Sequence, residues 1–98
     1  MTDDPLAPVH PGEILREEFL GPLGMTAYAL AAACHVPRTR FERLVNERVG
    51  VSPDVALRLA RYFGTTPEFW LAIQAHYDVE TARRMCGDDI EAIQPRTT

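Results

Sequence analysis

The chain has 98 residues, enough for one domain that buries roughly 60 to 65% of its unfolded surface, so a second domain is not expected. Hydrophobic residues make up 46% and charged residues 24%, proportions that exclude disordered and collagen-like chains. The net charge of −4 divides into −4 for residues 1–34, +3 for residues 35–62 and −3 for residues 63–98, so a basic centre lies between two acidic flanks.

The N-terminal segment, residues 1–9, is rich in proline and acid and is predicted to be flexible. It lacks the apolar stretch of a signal peptide, and the longest apolar run, residues 27–34, has only eight residues, so neither export nor a membrane span is predicted. The two cysteines stand 52 residues apart without metal-ligand spacing, which indicates free thiols and no zinc site. The chain is therefore expected to be cytoplasmic.

Capping residues predict five helices joined by short loops. His10-Pro11 opens the first helix, because proline is well placed in a first turn, and Gly21-Pro22 is expected to stop it. Thr26 is expected to cap an alanine-rich second helix, whose small side chains permit close backbone approach.

The third helix is predicted to begin at Pro37 after a tight turn of about three residues, because proline pushes the residue before it out of the α region. Its apolar residues Phe41, Leu44 and Val45 form one stripe. The opposite face carries the polar and basic side chains Arg38, Thr39, Arg43 and Asn46.

Two further helices begin with the same combination of hydroxyl cap, proline and acid, at residues 52–54 and 66–68. The fourth is predicted over residues 55–63, closed by Gly64, and the fifth to about Arg84 or Met85. No strand or repeat signal is present, so the fold class is all-α. The expected organisation is one domain over residues 10–86 and a flexible tail over residues 87–98.

The second and third helices meet the requirements of a helix-turn-helix DNA reader. A helix that enters the major groove, about 12 Å wide, needs an apolar inner face and an outer face of donors for bases and phosphates. The alternative is a solvated face on which Arg38 pairs with Glu42, and Arg43 with Glu47, each pair contributing only about 0.2 to 0.5 kcal/mol. The pattern alone leaves both interpretations open, and it contains no catalytic constellation.

The runs HPGEILREEFLGPLGMTAYALA and VPRTRFERLVNERVGVSPDVALRLARYFGTTPEFWLAIQAHYD resemble the HigA-type antitoxins, or VapI group, of the Xre family of phage-repressor-like regulators. The resemblance covers about residues 9–84. It implies a five-helix lambda-repressor-like helix-turn-helix fold, no cofactor and no enzymatic activity. It also implies a homodimer that binds operator double-stranded DNA and a HigB/RelE-like ribonuclease toxin as partner.

Carried over position by position, the resemblance predicts the DNA contacts. Base edges are expected at Arg38, Thr39 and Arg43, and the DNA backbone at Tyr28, Arg40, Asn46 and Arg48. Two positions depart from the family pattern. Ala27 replaces a glutamine that would bond a phosphate, and His35 replaces the usual turn glycine, so it must tolerate or avoid a positive φ.

Two other readings stay open at this stage. One alternative to an antitoxin is an orphan regulator that binds DNA but has no toxin. The other is a protein-interaction module that has lost DNA binding, which Ala27, His35 and the net charge of −4 favour. For the antitoxin reading, the acidic first helix is the candidate toxin surface. The fifth helix, with Trp70, Leu71 and Tyr77, is the predicted dimer interface.

Overall fold

The computed structural model describes residues 7–97, and this part of the chain contains five helices and no strand, which confirms the all-α prediction. The first helix, α1, covers residues 11–23 in three consecutive parts. These are an α-helical turn Pro11–Ile14, a π-helical segment Leu15–Leu20 and a last turn Gly21–Leu23.

The predicted stop of α1 at Gly21-Pro22 is wrong. Gly21 donates its N–H to the carbonyl of Arg16, five residues back, in the pattern of the π-helical segment. Pro22 then lies in the first turn of the next segment, where a missing N–H is tolerated. The helix ends instead at Leu23, and the next residue, Gly24, caps it with a φ of 60° in the left-handed region that favours glycine.

The two helices of the predicted helix-turn-helix are present: α2 is Ala27–Cys34 and α3 is Arg38–Val45. Thr26 caps α2, with its Oγ1 accepting a hydrogen bond of 3.0 Å from the N–H of Ala29. Pro37 occupies the N-cap position of α3, one residue earlier than the predicted first turn.

The fourth and fifth helices have the predicted hydroxyl caps: α4 is Pro53–Phe63, capped by Ser52, and α5 is Pro67–Glu91, capped by Thr66. The fourth helix begins two residues before the predicted residue 55, because Pro53 and Asp54 are already helical. The predicted end of α5 near Met85 is wrong, because helical turns continue to Glu91. That position nevertheless marks a bend, since the backbone of Cys86 leaves the helical region with φ −140° and ψ 24°. Flexibility of residues 1–9 and 87–98 stays a prediction, and residues 1–6 and 98 lie outside the described part of the chain.

The core draws on all five helices, as the fully buried side chains Leu15, Leu30, Phe41, Leu59 and Trp70 show. The ring of Trp70 packs against Phe19, with centroids 5.0 Å apart, and its Nε1 donates to Thr65 Oγ1 at 2.8 Å. The prediction that Trp70 belongs to a dimer interface is therefore wrong, because the indole is covered by its own chain. Leu71 and Tyr77 are half-buried.

The start of α1 lies directly against the end of α3. A Cβ placed on Gly12 would lie 1.8 Å from the carbonyl oxygen of Leu44, much closer than any non-bonded carbon and oxygen approach each other. Glycine is thus required at position 12 by the proximity of another backbone. This contact brings α1 close enough for its side chains to reach the last turn of α3.

His10 fixes this junction as the N-cap residue of α1. Its Nδ1 accepts a hydrogen bond of 2.8 Å from the N–H of Gly12, and its ring stands edge-on to Tyr77 of α5, with centroids 4.8 Å apart. Only 4% of the residue is exposed. Burial lowers the pKa of His10 below the ordinary 6.5, and Arg16 acts in the same direction, while carboxylates of Glu47, Asp78 and Glu13 partly oppose both.

We expect Gly12→Ala to lower the free energy of unfolding by about 2 to 3 kcal/mol, because α1 must move away from α3 to admit the methyl group. Urea titration followed by circular dichroism measures this change. Gly87→Ala is the matched control, since a Cβ there meets no atom within 4 Å, and its effect is expected within about 0.5 kcal/mol of zero. Equal destabilisation by the two variants would contradict the packing argument.

The lowered pKa of His10 predicts a pH dependence of stability. The unfolded chain binds a proton at His10 more readily than the folded chain, so the stabilisation is complete above pH 6.5 and is lost as the pH falls through the lowered pKa. Asparagine at position 10 can keep the cap without titrating. Urea titrations at several pH values should show a smaller loss of stability on acidification for His10→Asn than for the wild-type chain, and identical pH profiles would refute the prediction.

Candidate nucleic-acid interface

The outward face of α3 gathers four of the predicted contact residues. Thr39, Arg43, Asn46 and Arg48 border one shallow depression of about 260 Å³, together with Glu42. Phe41 and Leu44 on the opposite face are buried in the core, so the direction of α3 is set by its apolar stripe, as predicted. The depression is lined by guanidinium, amide and hydroxyl groups, which are the donors that base edges and phosphates accept from.

The arginines of this surface differ in how far they are already paired. Arg38 contacts Glu42 at 2.9 Å and Arg40 contacts Asp54 at 3.9 Å, and all four side chains are about half exposed. Such exposed pairs are weak and readily exchange for a phosphate. Within residues 7–97, Arg43 and Arg48 form no ion pair, so their guanidinium groups remain open to solvent.

The predicted pair between Arg43 and Glu47 is not formed. The helix has ended at Asn46, and Glu47 has a φ of 61°, which turns it away from the α3 surface. Its carboxylate instead contacts Arg16 of α1 at 3.3 Å. The alternative reading of α3 as a face of intrahelical pairs therefore holds for Arg38 alone.

Tyr28 joins the same surface from α2. The residue is 62% exposed, and the guanidinium carbon of Arg38 lies 5.5 Å from the centre of its ring. A cation over an aromatic face is attracted by the ring quadrupole, which holds Tyr28 and Arg38 together at the N-terminal end of α3. The seven predicted contact residues are thus all exposed on α2, α3 and the loop after α3.

The turns before and after α3 each contain a residue in the left-handed region that is not glycine. His35 precedes α3 with φ 58°, and Glu47 follows it with φ 61°. His35 therefore tolerates the positive φ that its position demands, at the usual cost of about 1 to 2 kcal/mol for a side chain in this region. Each of these residues is held by an arginine from another helix.

Arg58 of α4 holds the turn before α3. Its Nη1 donates to the carbonyls of Cys34 at 2.8 Å and His35 at 3.2 Å, which are the last carbonyls of α2 and its cap. Its Nε donates to Asp54 at 3.0 Å. A cation at the C-terminal end of a helix is also favoured by the helix dipole.

Arg16 of α1 holds the opposite end. Its Nη1 donates to the carbonyl of Val45 in the last turn of α3, and its Nη2 contacts the carboxylate of Glu47. Sequence reasoning missed both arginine contacts, which we call the Arg16 clamp and the Arg58 clamp. They join residues 29 and 24 positions apart, and no local spacing pattern indicates such a contact.

The remaining candidates for chemistry are the thiol of Cys34 and side chains that could bind a metal ion. Cys34 is buried at the end of α2, and burial raises the pKa of its thiol, whereas a nucleophilic cysteine has a lowered one. Among residues 7–97, no three His, Cys, Asp or Glu side chains lie close enough together to hold a metal ion. In the same range, every helix is too short or too polar to cross a membrane.

Comparison with known proteins finds similarity to helix-turn-helix domains and to antitoxins. Residues 17–68 match the Cro/C1-type HTH DNA-binding domain. The chain is 50% identical over 76 residues to virulence-associated protein I of Dichelobacter nodosus, covering 78% of this chain and 70% of that protein. It is 42% identical over 88 residues to antitoxin HigA-1 of Vibrio cholerae, covering 90% and 83%. The structure of Pseudomonas aeruginosa antitoxin HigA with higBA promoter superposes with a TM-score of 0.88 at 42% identity, covering 92% of this chain and 99% of that one.

We expect Arg58→Met to lower the free energy of unfolding by about 1.5 to 3 kcal/mol, the usual range for hydrogen bonds to a charged group. Arg61→Met is the matched control, one turn on in the same helix, and its effect is expected within about 0.5 kcal/mol of zero. Combining Arg58→Met with His35→Gly should recover part of the loss, because glycine adopts a positive φ without strain. Thermal or urea unfolding measures all four chains, and equal losses for Arg58→Met and Arg61→Met would rule out the Arg58 clamp.

Proposed function

The chain belongs to the HigA-type antitoxins of the Cro/C1-type helix-turn-helix family, a class of DNA-binding proteins and not of enzymes, and on that premise we propose that it represses its own operon as a homodimer and neutralises a HigB/RelE-like ribonuclease toxin. The observation that carries the DNA-binding part is the outward face of α3. It presents Thr39, Arg43 and Asn46 around one depression, on a helix whose preceding turn is held by Arg58 and whose last turn is held by Arg16.

The base and backbone roles follow from position on α3. Arg38, Thr39 and Arg43 lie along the outward face, where base edges of the major groove are reached. Arg48 follows the end of the helix, and Tyr28 lies in the first turn of α2, positions that suit phosphates on either side of the groove. The solved Pseudomonas relative with the higBA promoter supports promoter DNA as the ligand.

The homodimer is proposed because one α3 offers too few base contacts for useful specificity. Two recognition helices about 34 Å apart read half-sites one helical turn apart, which multiplies the discrimination of each half. The interaction-module alternative relied on Ala27 and His35. The left-handed conformation of His35 supports DNA binding over that alternative, because the turn forms without the family's glycine.

The toxin surface is proposed on α1. Glu13, Glu17 and Glu18 are exposed on this helix, and an RNA-cleaving partner needs a basic surface that such acids attract. Arg16 of the same helix donates to Val45 of α3 and also contacts Glu17 at 2.9 Å, so Glu13 and Glu18 are the acids of α1 that have no ion pair within residues 7–97. The similarity to antitoxin HigA-1 of Vibrio cholerae supports a toxin partner. If no toxin binds this chain, the orphan regulator becomes the preferred interpretation.

The DNA-binding proposal predicts different effects for two unpaired arginines. Arg43→Ala should reduce the preference for operator over scrambled DNA by about 1 to 3 kcal/mol, because base contacts carry sequence information. Arg48→Ala should weaken binding to both DNAs equally, because a phosphate contact carries mainly charge. Titrations on the two DNAs measure both effects.

The salt dependence supplies the control for this experiment. A dimer that neutralises about five phosphates should show a log-log slope of operator affinity against salt concentration near −4 to −5. Arg48→Ala should make this slope shallower by about 1 per arginine lost, whereas Arg43→Ala should change the slope less. Indistinguishable variants would contradict the assigned roles. A slope near zero for the wild-type chain would contradict DNA binding through this surface.

The toxin proposal predicts that an adjacent open reading frame encodes a small protein whose expression arrests growth, and that co-expression of this chain restores it. Glu18→Arg should weaken the complex on the order of tenfold, because it reverses a charge on the acidic face of α1. Glu68→Arg on α5 is the control and should bind as the wild type does. Growth without arrest, or no complex between the two purified proteins, would favour the orphan regulator.

A further inference from the structure

Gln74 connects α5 to the loop that follows α3. Its Oε1 accepts a hydrogen bond of 2.7 Å from the N–H of Val51, which lies in the segment between α3 and α4. We call this segment, residues 46–52, the α3–α4 loop. The loop also carries Arg48, the residue assigned to a phosphate. A side chain that is not among the seven predicted DNA contacts therefore binds the segment that holds one of them.

The orientation of the Gln74 amide is fixed from both sides. Its Nε2 donates a hydrogen bond of 2.9 Å to Oδ1 of Asp78, one turn further along α5. An ionised carboxylate can only accept and a backbone N–H can only donate, so the amide oxygen must face Val51 and the amide nitrogen must face Asp78. Asp78 thereby holds Gln74 in the orientation that binds the loop.

Gly50 allows this amide to lie against the loop. A Cβ placed on Gly50 would lie 2.7 Å from Oε1, 2.9 Å from Cδ and 2.9 Å from Nε2 of Gln74, so the amide covers the Cα of this glycine. The glycines of residues 7–97 that have a positive φ are Gly24 and Gly64, and Gly50 is not one of them. The lack of a side chain at position 50 is thus explained by the close approach of Gln74 and not by backbone strain.

Two hydrogen bonds bracket the short segment from Arg48 to Val51. At its start, the N–H of Arg48 donates to the carbonyl of Arg43 in α3 at 2.8 Å. At its end, the N–H of Val51 donates to Gln74, and the Val51 side chain is buried in the core. Arg48 and the two residues after it are exposed. Three residues span at most about 10 to 11 Å, so fixing the peptide at Val51 restricts where the Arg48 side chain can lie.

We propose that Gln74 is a positioning residue for DNA binding, which holds the α3–α4 loop so that Arg48 meets a phosphate. The inference rests on the phosphate role proposed for Arg48 and adds the group that orients it. Arg48 forms no ion pair within residues 7–97, so the backbone of its loop sets its direction. A side chain that is already held near its bound position loses less conformational freedom on binding, which raises affinity. Asp78 acts one step further back, because it orients Gln74.

The alternative is that Gln74 serves only the stability of the fold. A part-buried backbone N–H needs an acceptor, and Gln74 supplies one for Val51. In that case, loss of Gln74 lowers the free energy of unfolding but leaves the DNA affinity of the folded chain unchanged. The two explanations therefore differ in whether the effect of Gln74 on DNA binding passes through Arg48.

The first test combines Gln74→Leu with the two arginine variants. Leucine has a similar volume but accepts no hydrogen bond, so the operator affinity of the otherwise wild-type chain should fall about fivefold. In an Arg48→Ala background the same substitution should change the affinity by less than about twofold, whereas in an Arg43→Ala background it should again cost about fivefold. Titrations of folded protein at one salt concentration measure these affinities. Equal costs in the three backgrounds, or no cost in any, would overturn the positioning role.

His76→Leu is the matched control for this experiment. It introduces the same side chain at an exposed position two residues further along α5, and the operator affinity should stay within about 1.5-fold of the wild type. Gln74→Leu should also weaken binding to scrambled DNA by the same factor as binding to operator DNA, because the contact that it disturbs is to a phosphate. A loss confined to operator DNA would contradict action through Arg48.

The second test restores the contact with a different pair of side chains. Gln74→Glu places a second carboxylate beside Asp78, so the two acids repel and operator affinity should fall. Adding Asp78→Asn lets the introduced amide donate to the introduced carboxylate, whose other oxygen can accept from Val51. This double variant has the net charge of the wild-type chain, so recovery to within about twofold of its affinity would not reflect overall charge. A double variant as weak as Gln74→Glu alone would overturn the proposal.

The third test approaches the contact from the loop. Gly50→Ala should displace the end of the Gln74 side chain and lower operator affinity about as much as Gln74→Leu, and the combined variant should be no weaker than either. Losses that multiply in the combined variant would contradict a shared contact. If Arg48→Ala weakens DNA binding while every variant of Gln74 binds as the wild type does, the inference is overturned and the proposed function stands. A wild-type chain that does not bind its operator would overturn both.

Discussion

Two guanidinium groups from other helices hold α3 in place, one at the turn before it and one at its last turn. Arg58 binds the last carbonyls of α2, and Arg16 binds the last turn of α3. The left-handed residues beside these ends, His35 and Glu47, each cost about 1 to 2 kcal/mol, while a hydrogen bond to a charged group contributes about 1.5 to 3 kcal/mol. The clamps thus offset the strain that the turns impose. They also commit two of the ten arginines to the fold.

The division of labour among the arginines explains how an acidic chain presents a basic surface. Screening at about 0.15 M salt limits charge effects to roughly 8 Å, so the acids of α1 and α5 influence the α3 surface weakly. Within residues 35–62, Arg58 supports the turn, Arg38 and Arg40 are in exchangeable pairs, and Arg43 and Arg48 are unpaired. The charge that matters is therefore local, and the net charge of the chain does not predict it.

The parts of the fold that local chemistry determines could be predicted from the sequence. The caps Thr26, Ser52 and Thr66 and the apolar stripe of α3 lie where hydroxyl chemistry and helical periodicity place them. The π-helical segment, the Leu44 carbonyl against Gly12 and the two clamps could not be predicted, because they depend on residues brought together by tertiary packing. Trp70 was misassigned for the same reason, since an aromatic residue in a helix suits a core or an interface equally.

The π-helical segment of α1 changes how this helix tolerates alteration. Leu15 and Leu20, its two ends, are both buried although they are five residues apart, whereas a regular α-helix brings residues four apart to one face. The helix thus contains one residue more than its buried face requires. Removing a residue between Leu15 and Leu20, at the exposed Glu17 or Glu18, would convert the segment to regular helix and leave both buried leucines on the same face. The same deletion in α3 would rotate every following side chain by about 100° about the helix axis. The acidic face of α1 can accordingly vary in length where α3 cannot.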